Sequence, residues 1–277
     1  MDWRGGPPGG IWRSMTGPDG WDPAQYNRFA AEREQPFWDL ARLLEPVEAP
    51  RLVDLGCGDG RLTGLLHRDQ GASEVLGVDS SPAMISAAET EAEAEAEPAG
   101  TVRFELGDIG AWEGPGEYDI VFANASLQWV ADHRRVLGRW AGLLRTDGQL
   151  AVQVPANADH PAHLAAAELG AEMLDDPPAD PVAHNVLAPE EYAVVLDELG
   201  FDRQHVRLQV YAHHLPSTAD VVEWVKGTTL TRFKEPLGND GWQEFVGVYR
   251  SRLLAVLGDR SPFFYPFKRI LLWGRRS

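Results

Sequence analysis

Arg51-Leu-Val-Asp-Leu-Gly-Cys-Gly-Asp-Gly60 reads as a short apolar strand, Leu52 to Leu55, that runs straight into glycines at alternate positions, Gly56, Gly58 and Gly60. Asp54 stands just ahead of them. Glycine adopts positive φ and carries no Cβ, so a ligand can lie against main-chain N–H groups where a side chain would collide. A second apolar stretch, Glu74-Val-Leu-Gly-Val-Asp79, follows after a helix-length segment. It ends on an acid roughly twenty residues beyond the last glycine, the spacing at which a carboxylate meets the ribose of a bound nucleoside. Together the two stretches describe a nucleoside pocket.

Outward from this pair the chain alternates strands and helices. Arg61 to Arg68 is the helix between the first two strands, and Ser80-Ser-Pro-Ala-Met84 opens the next, with a serine cap and Pro82 near its start. Further strands are expected at Thr101 to Leu106, Tyr118 to Ala123 and Gln149 to Val154, with a helix from Asp132 to Leu144. Such alternation gives a parallel sheet covered on both faces. Beyond Pro155 come helical segments at Pro161 to Leu174 and Pro189 to Leu199, a strand at Arg203 to His213, helices at Thr218 to Thr229 and Gly241 to Leu257, and a closing apolar strand, Phe263 to Trp273. The material between the last two strands is too long for an ordinary connection and reads as a helical cap, about residues 214–260, over a cofactor-binding core of about residues 51–155.

Residues 1–20, crowded with glycine and proline, are expected to form a disordered leader, which leaves residues 21–277 as the folded domain. Trp21-Asp22-Pro23 looks like a helix cap, and Tyr26, Phe29, Ala30, Arg33 and Phe37 follow at helical spacing. The Glu-Ala run from Glu89 to Glu97 offers neither an apolar helix face nor a β core and reads as a solvated helix end or loop. No stretch has the length and apolarity of a membrane span, and a cytoplasmic protein is expected. The formal net charge of −17 argues against nucleic acid and anionic membrane as partners and favours a small molecule. A single cysteine, Cys57, rules out an intramolecular disulfide and a cysteine-built zinc site. Neighbouring histidines on a strand, His213 and His214, point to opposite faces and do not share a metal, so no metal is expected.

The glycine spacing decides the cofactor. A dinucleotide fingerprint needs Gly or Ala at the sixth position from Gly56, where this chain has Arg61, and no Lys-Ser/Thr follows Gly60 to make a P-loop. The pattern D-x-G-x-G-x-G resembles instead the first motif of class I methyltransferases, which bind S-adenosylmethionine and release S-adenosylhomocysteine. Six segments together narrow the resemblance: Trp21 to Arg33, Val53 to Gly58, Val78-Asp-Ser-Ser-Pro-Ala-Met84, Ala123-Asn-Ala-Ser-Leu-Gln-Trp129, Leu150-Ala-Val-Gln-Val-Pro155 and Tyr265-Pro-Phe-Lys-Arg269. In this order they are similar to the trans-aconitate 2-methyltransferases. The resemblance implies a Rossmann-like α/β fold with a mostly parallel seven-stranded sheet, an N-terminal helix and a cap inserted between the last strands. It implies methyl transfer from S-adenosylmethionine to a carboxylate of trans-aconitate, giving a monomethyl ester.

On this reading the cofactor-binding residues are Asp54, Gly56, Cys57, Gly58, Gly60, Asp79, Ser80, Met84, Asp108, Ile109, Asn124 and Ala125. Asp79 is expected on two ribose hydroxyls, with Asp108 and Ile109 at the adenine. The acceptor side is expected from Trp21, Tyr26, Arg33, Gln128, Trp129, His214 and Arg269, with Lys226 and Arg232 behind them. Arginine leads because its planar fork fits a carboxylate at two points. No catalytic base is assigned, since a carboxylic acid is already ionised at neutral pH. Simpler roles stay open: Trp129, Trp21 and Tyr26 as packing, Asp108 as a turn residue, Arg33 in an ion pair with Glu32 or Asp39. So do two other functions, a methyltransferase for another small molecule or a carrier-bound carboxylate, and a protein that binds the cofactor without turning it over. Oligomeric state is not legible.

Overall fold

The structure is a computed structural model and describes residues 30–94 and 101–276, for residues 30–33 and 94 the backbone only. The expected leader, the helix start at Trp21 with Tyr26, and the end of the Glu-Ala run lie outside the described residues. In chain order α1 (Ala30–Ala41) precedes β1 (Arg51–Leu55), α2 (Arg61–Gln70), β2 (Glu74–Asp79), α3 (Pro82–Ala94), β3 (Val102–Leu106) and β4 (Tyr118–Asn124). A 3-10 turn, Leu127–Trp129, leads to α4 (His133–Ala141) and β5 (Leu144–Pro155). Three helices follow, α5 (Pro161–Met173), α6 (Pro181–Asn185) and α7 (Pro189–Glu198). The remainder is β6 (Arg203–Leu215), α8 (Ala219–Lys226), a second 3-10 turn (Thr231–Phe233), α9 (Lys234–Leu257) and β7 (Phe263–Arg275).

The seven strands form one sheet in the order β3-β2-β1-β4-β5-β7-β6. β1 to β5 run parallel, and β7 is antiparallel to both β5 and β6. The central strands are mostly apolar because both faces are covered, with a few buried polar residues such as Asp54 and Gln153. Successive residues of a strand point to opposite faces, so Val53, Leu55, Val121 and Ala123 enter one core with Trp140, Tyr192 and Leu196. Leu52, Ile120 and Phe122 enter a second with Phe37, Leu40 and Leu66. Phe37 of α1 meets Phe122 edge-on at 5.4 Å, which fixes the N-terminal helix on the sheet.

β6 and β7 stay paired from Arg203 opposite Arg275 to Leu215 opposite Phe263, whereas β5 leaves β7 at the pair Pro155–Arg269. Residues 263–268 and 210–215 therefore overhang the sheet on the side where the parallel strands end. A third core forms on this overhang, from Leu215, Phe263, Tyr265 and Phe267 together with Trp224 of α8, and Phe245, Tyr249 and Leu253 of α9. Ala162, Ala166 and Leu169 of α5 enter the same core, so two separate stretches of chain build it. The Tyr249 hydroxyl donates to the Ala162 carbonyl at 2.9 Å and ties α9 to α5.

Two boundaries differ most from the sequence expectation. β5 begins at Leu144 rather than Gln149, because the Thr146-Asp147-Gly148 turn is an irregularity inside the strand, with Asp147 at φ 62°. α9 begins at Lys234 rather than Gly241, carrying its break at Gly238, φ 64°. No helix among the described residues is long and apolar enough to cross a membrane.

Candidate active site

The glycine turn and the acid at the end of β2 are physically joined. Gly56 N and Cys57 N both donate to the Val78 carbonyl, at 2.7 and 3.1 Å, which brings the turn across onto β2. Gly58 N then donates to Asp79 Oδ2 at 3.0 Å, and Ser81 N to Asp79 Oδ1 at 2.9 Å. Burial raises the Asp79 pKa, opposed by these backbone N–H groups. A carboxylate has about four acceptor positions, so beside its backbone partners Asp79 keeps acceptor capacity for a ligand hydroxyl. Gly56, Gly58 and Gly60 all have left-handed φ, at 90°, 57° and 76°. A Cβ at Gly56 would meet Ser126 at 2.2 Å, whereas one at Gly58 would meet nothing within 4 Å. The backbone is thus bare and open at Gly58, next to Asp79.

Asp54 and Cys57 support this turn from behind. Asp54 is buried and accepts a 2.6 Å hydrogen bond from Thr63 Oγ1, bracing the first turn of α2. Burial pushes its carboxyl up to about 7, against the Thr63 bond, with the Asp79 charge adding to the rise. Burial also pushes the Cys57 thiol up, which keeps it a neutral, inert filler. Ser80 is half-buried, Ser81 Oγ accepts from Met84 N at 3.3 Å as the helix cap, and Met84 is buried.

At the end of β3 the exposed Asp108 accepts from Gly110 N at 2.9 Å while its carbonyl takes Ala111 and Trp112 N–H, so part of its role is to shape the turn. Ile109 is buried, and its carbonyl accepts from Trp140 Nε1. At the end of β4, Asn124 Oδ1 is buried without a hydrogen-bond partner among the described residues. Ala125, at φ 55°, turns the chain and donates its N–H to the Gln153 carbonyl at 2.9 Å. Gln128 Nε2 donates to Ala125 O at 2.6 Å, leaving Gln128 Oε1 buried and unmatched among the described residues. Trp129 is 39% exposed, which removes it from the core packing open to it from the sequence.

On the acceptor side Arg269 is buried on β7 and donates through Nη1 to Gln153 Oε1 of β5 at 3.1 Å, its guanidinium lying over the Phe267 ring. Beside it Asn157 Oδ1 accepts from Lys268 N at 2.6 Å. The Tyr265 hydroxyl neighbours Asn157, and neither that hydroxyl nor Asn157 Nδ2 has a partner at full hydrogen-bond geometry among the described residues. His213 faces this group, stacked on Tyr211 and packed against Trp224, and burial holds its pKa down at about 4. His214 does not join it: the strand alternation turns it to the outer, exposed face beside Phe264. Lys226 pairs with Glu223 at 3.7 Å. Trp21, Tyr26 and the Arg33 side chain lie outside the described residues.

Sequence reasoning passed over Gln153, Asn157, Tyr265 and His160, whose ring packs edge-on against Tyr265 at 4.9 Å. A signal existed for two of them. Gln153 is a polar residue inside an apolar strand, fully buried, and Asn157 follows that strand's end. A buried amide in such a position needs partners and marks a polar site.

A sequence profile described as a methyltransferase domain matches residues 52–148. The trans-aconitate 2-methyltransferase of Deinococcus radiodurans is 38% identical over 263 residues, spanning 92% of this chain and 98% of its own. That of Mycobacterium sp. strain KMS is 34% identical over 266 residues, spanning 92% and 99%. Among solved structures, the YcgJ protein of Bacillus subtilis superposes with a TM-score of 0.58 at 16% identity, covering 88% of this chain and 99% of its own. Haemonchus contortus phosphoethanolamine N-methyltransferase 2, in complex with S-adenosyl-L-methionine, gives 0.60 at 15% identity, covering 92% and 56%. Those two show the fold, and the cofactor expected from the D-x-G-x-G-x-G turn agrees with the family. At more than a third identity over nearly its whole length, this chain belongs to the trans-aconitate 2-methyltransferase family and is an S-adenosylmethionine-dependent methyltransferase.

Proposed function

We propose that the chain methylates a carboxylate oxygen of trans-aconitate, giving the monomethyl ester and S-adenosylhomocysteine. The observation that carries this reading is Arg269, a buried cation set against the Gln153 and Asn157 amides at the end of the sheet where the glycine turn opens. A buried guanidinium among amide donors suits an anionic, oxygen-rich acceptor and not a phenol or an amine.

The open backbone at Gly58, the spare acceptor capacity of Asp79 and the unmatched Asn124 Oδ1 fit an adenosyl group carrying an amino-acid tail. When bound, the cofactor supplies an electrophilic sulfonium methyl. The protein's part is to hold an acceptor oxygen in line with it, at roughly 3 to 3.5 Å. A carboxylate with a pKa near about 4 arrives ionised, so no side chain must remove a proton. His160 and His213 agree with that: burial holds each at about 4, and they are weak bases at neutral pH. A methyl-transfer screen with labelled cofactor over trans-aconitate, other di- and tricarboxylates, phenols and amines tests the reading. Trans-aconitate should give the highest kcat/KM. Preference for a phenol or an amine would overturn it, and tight cofactor binding with no turnover on any acceptor would favour a protein that only binds the cofactor.

A further inference from the structure

Arg232 sits in the second 3-10 turn, within the cap, and only 3% of it is exposed. Its guanidinium lies over the Phe233 ring at 4.4 Å. Nη1 donates to the Thr229 carbonyl at 2.7 Å and stands 3.4 Å from Asp180 Oδ2. Asp180 is itself fixed: Oδ1 caps α6 by accepting from Val182 N at 2.9 Å, and Oδ2 lies 2.8 Å from His163 Nδ1 on α5. Although burial works against its ionised form, Asp180 is held below the ordinary carboxylate range by His163 and Arg232.

Both polar contacts of the guanidinium are made through Nη1. Nε and Nη2 form the other edge, two parallel N–H groups with the spacing of a carboxylate's two oxygens. Both are buried without a hydrogen-bond partner among the described residues. Leaving two charged donors unmatched in a protein interior is costly, and a guanidinium anchored by Nη1 alone could as well turn to water. Instead it is stacked and pinned with its bidentate edge unused.

The position also fits. α6 carries Asp180 at its start and Asn185 at its end, and Asn185 Nδ2 donates to the Gln128 carbonyl, beside the end of β4. Toward β7, Tyr249 lies within reach of both the Arg232 charge and Tyr265, in the core they share, and Tyr265 borders Asn157 and Arg269. We propose that the Nε/Nη2 edge of Arg232 is a second carboxylate-binding subsite, which takes an acceptor carboxylate other than the one methylated and so selects tricarboxylates over dicarboxylates. Asp180 and His163 position it. This rests on the reading that the acceptor is a polycarboxylate.

The test is calorimetric binding to the full chain saturated with S-adenosylhomocysteine, which does not depend on turnover. The probes are trans-aconitate and the three dicarboxylates that each lack one of its carboxylates: mesaconate, itaconate and glutaconate. Arg232→Gln should weaken trans-aconitate at least tenfold and leave unchanged the one dicarboxylate that lacks the group Arg232 holds. Arg232→Lys keeps the charge without the fork and should give a partial loss with the same pattern, which serves if the glutamine variant does not fold. Equal losses for all four acids would mean a merely structural arginine, and no loss for any would overturn the subsite; in both cases the acceptor reading stands. A wild-type protein that binds none of the acids overturns that reading and the subsite with it.

Discussion

An alanine methyl at Gly56 would lie 2.2 Å from Ser126 Cβ, while one at Gly58 would face open space, though both glycines hold positive φ. Gly56→Ala should therefore destabilise the fold by about 2 to 5 kcal/mol, adding overpacking to backbone strain. Gly58→Ala should cost only about 1 to 2 kcal/mol of stability yet weaken S-adenosylmethionine at least tenfold, as thermal melts and calorimetry would show. Asp79→Ala should weaken the cofactor by roughly 1 to 3 kcal/mol through lost charge-assisted hydrogen bonds, and unchanged affinity would refute the ribose assignment. Asp54 gives a pH signature. Its folded pKa of about 7 lies above the ordinary 3.8, so the folded state favours the neutral acid. The stability this confers is complete below about pH 4 and is lost as pH rises through the folded pKa. Asp54→Asn stays neutral, so its melting temperature relative to wild type should climb between pH 5 and pH 8.5; a constant difference would show that Asp54 does not titrate there.

At the scale of elements, the contact between α5 and the second 3-10 turn holds the cap together. A Cβ on Gly170 would meet Phe233 at 2.4 Å. Gly170→Ala should cost about 1 to 3 kcal/mol and raise KM for trans-aconitate well beyond any change in S-adenosylmethionine affinity, since the cofactor's turn belongs to β1 and β2. Parallel loss of both would mean that the cap and the glycine turn are one cooperative unit. The first four strands were legible because each is a short run rich in apolar residues that ends in or runs into glycine, aspartate or asparagine. The joining of α5 to α8 and α9 was not: alanine-rich α5 carries no mark of its partner, and such contacts are set by tertiary packing between distant segments. Likewise alternation alone separates His213 from His214, but which one faces inward is decided by the cap core on one side of the overhang.

For the molecule as a whole, the net charge of −17 opposes the approach of an acceptor with three carboxylates. That long-range repulsion is screened as the Debye length falls from about 30 Å at 0.01 M salt to about 8 Å at 0.15 M, whereas buried contacts at Arg269 are little affected. The kcat/KM for trans-aconitate should thus rise over this range, and a fall would show that exposed cations steer the acceptor. The class of fold and the cofactor turn could be read from sequence since both are local patterns; of the proposed acceptor pocket only Arg269 and Arg232 were named, because Gln153, Asn157 and Asp180 join them only through packing between distant stretches. The strand order has one more outcome. β7, made after every other strand, is wedged between β5 and β6. During translation the nucleoside-holding half can mature early, while the flank of β5 waits unzipped until residues 263–275 leave the ribosome and insert, delivering Arg269 last.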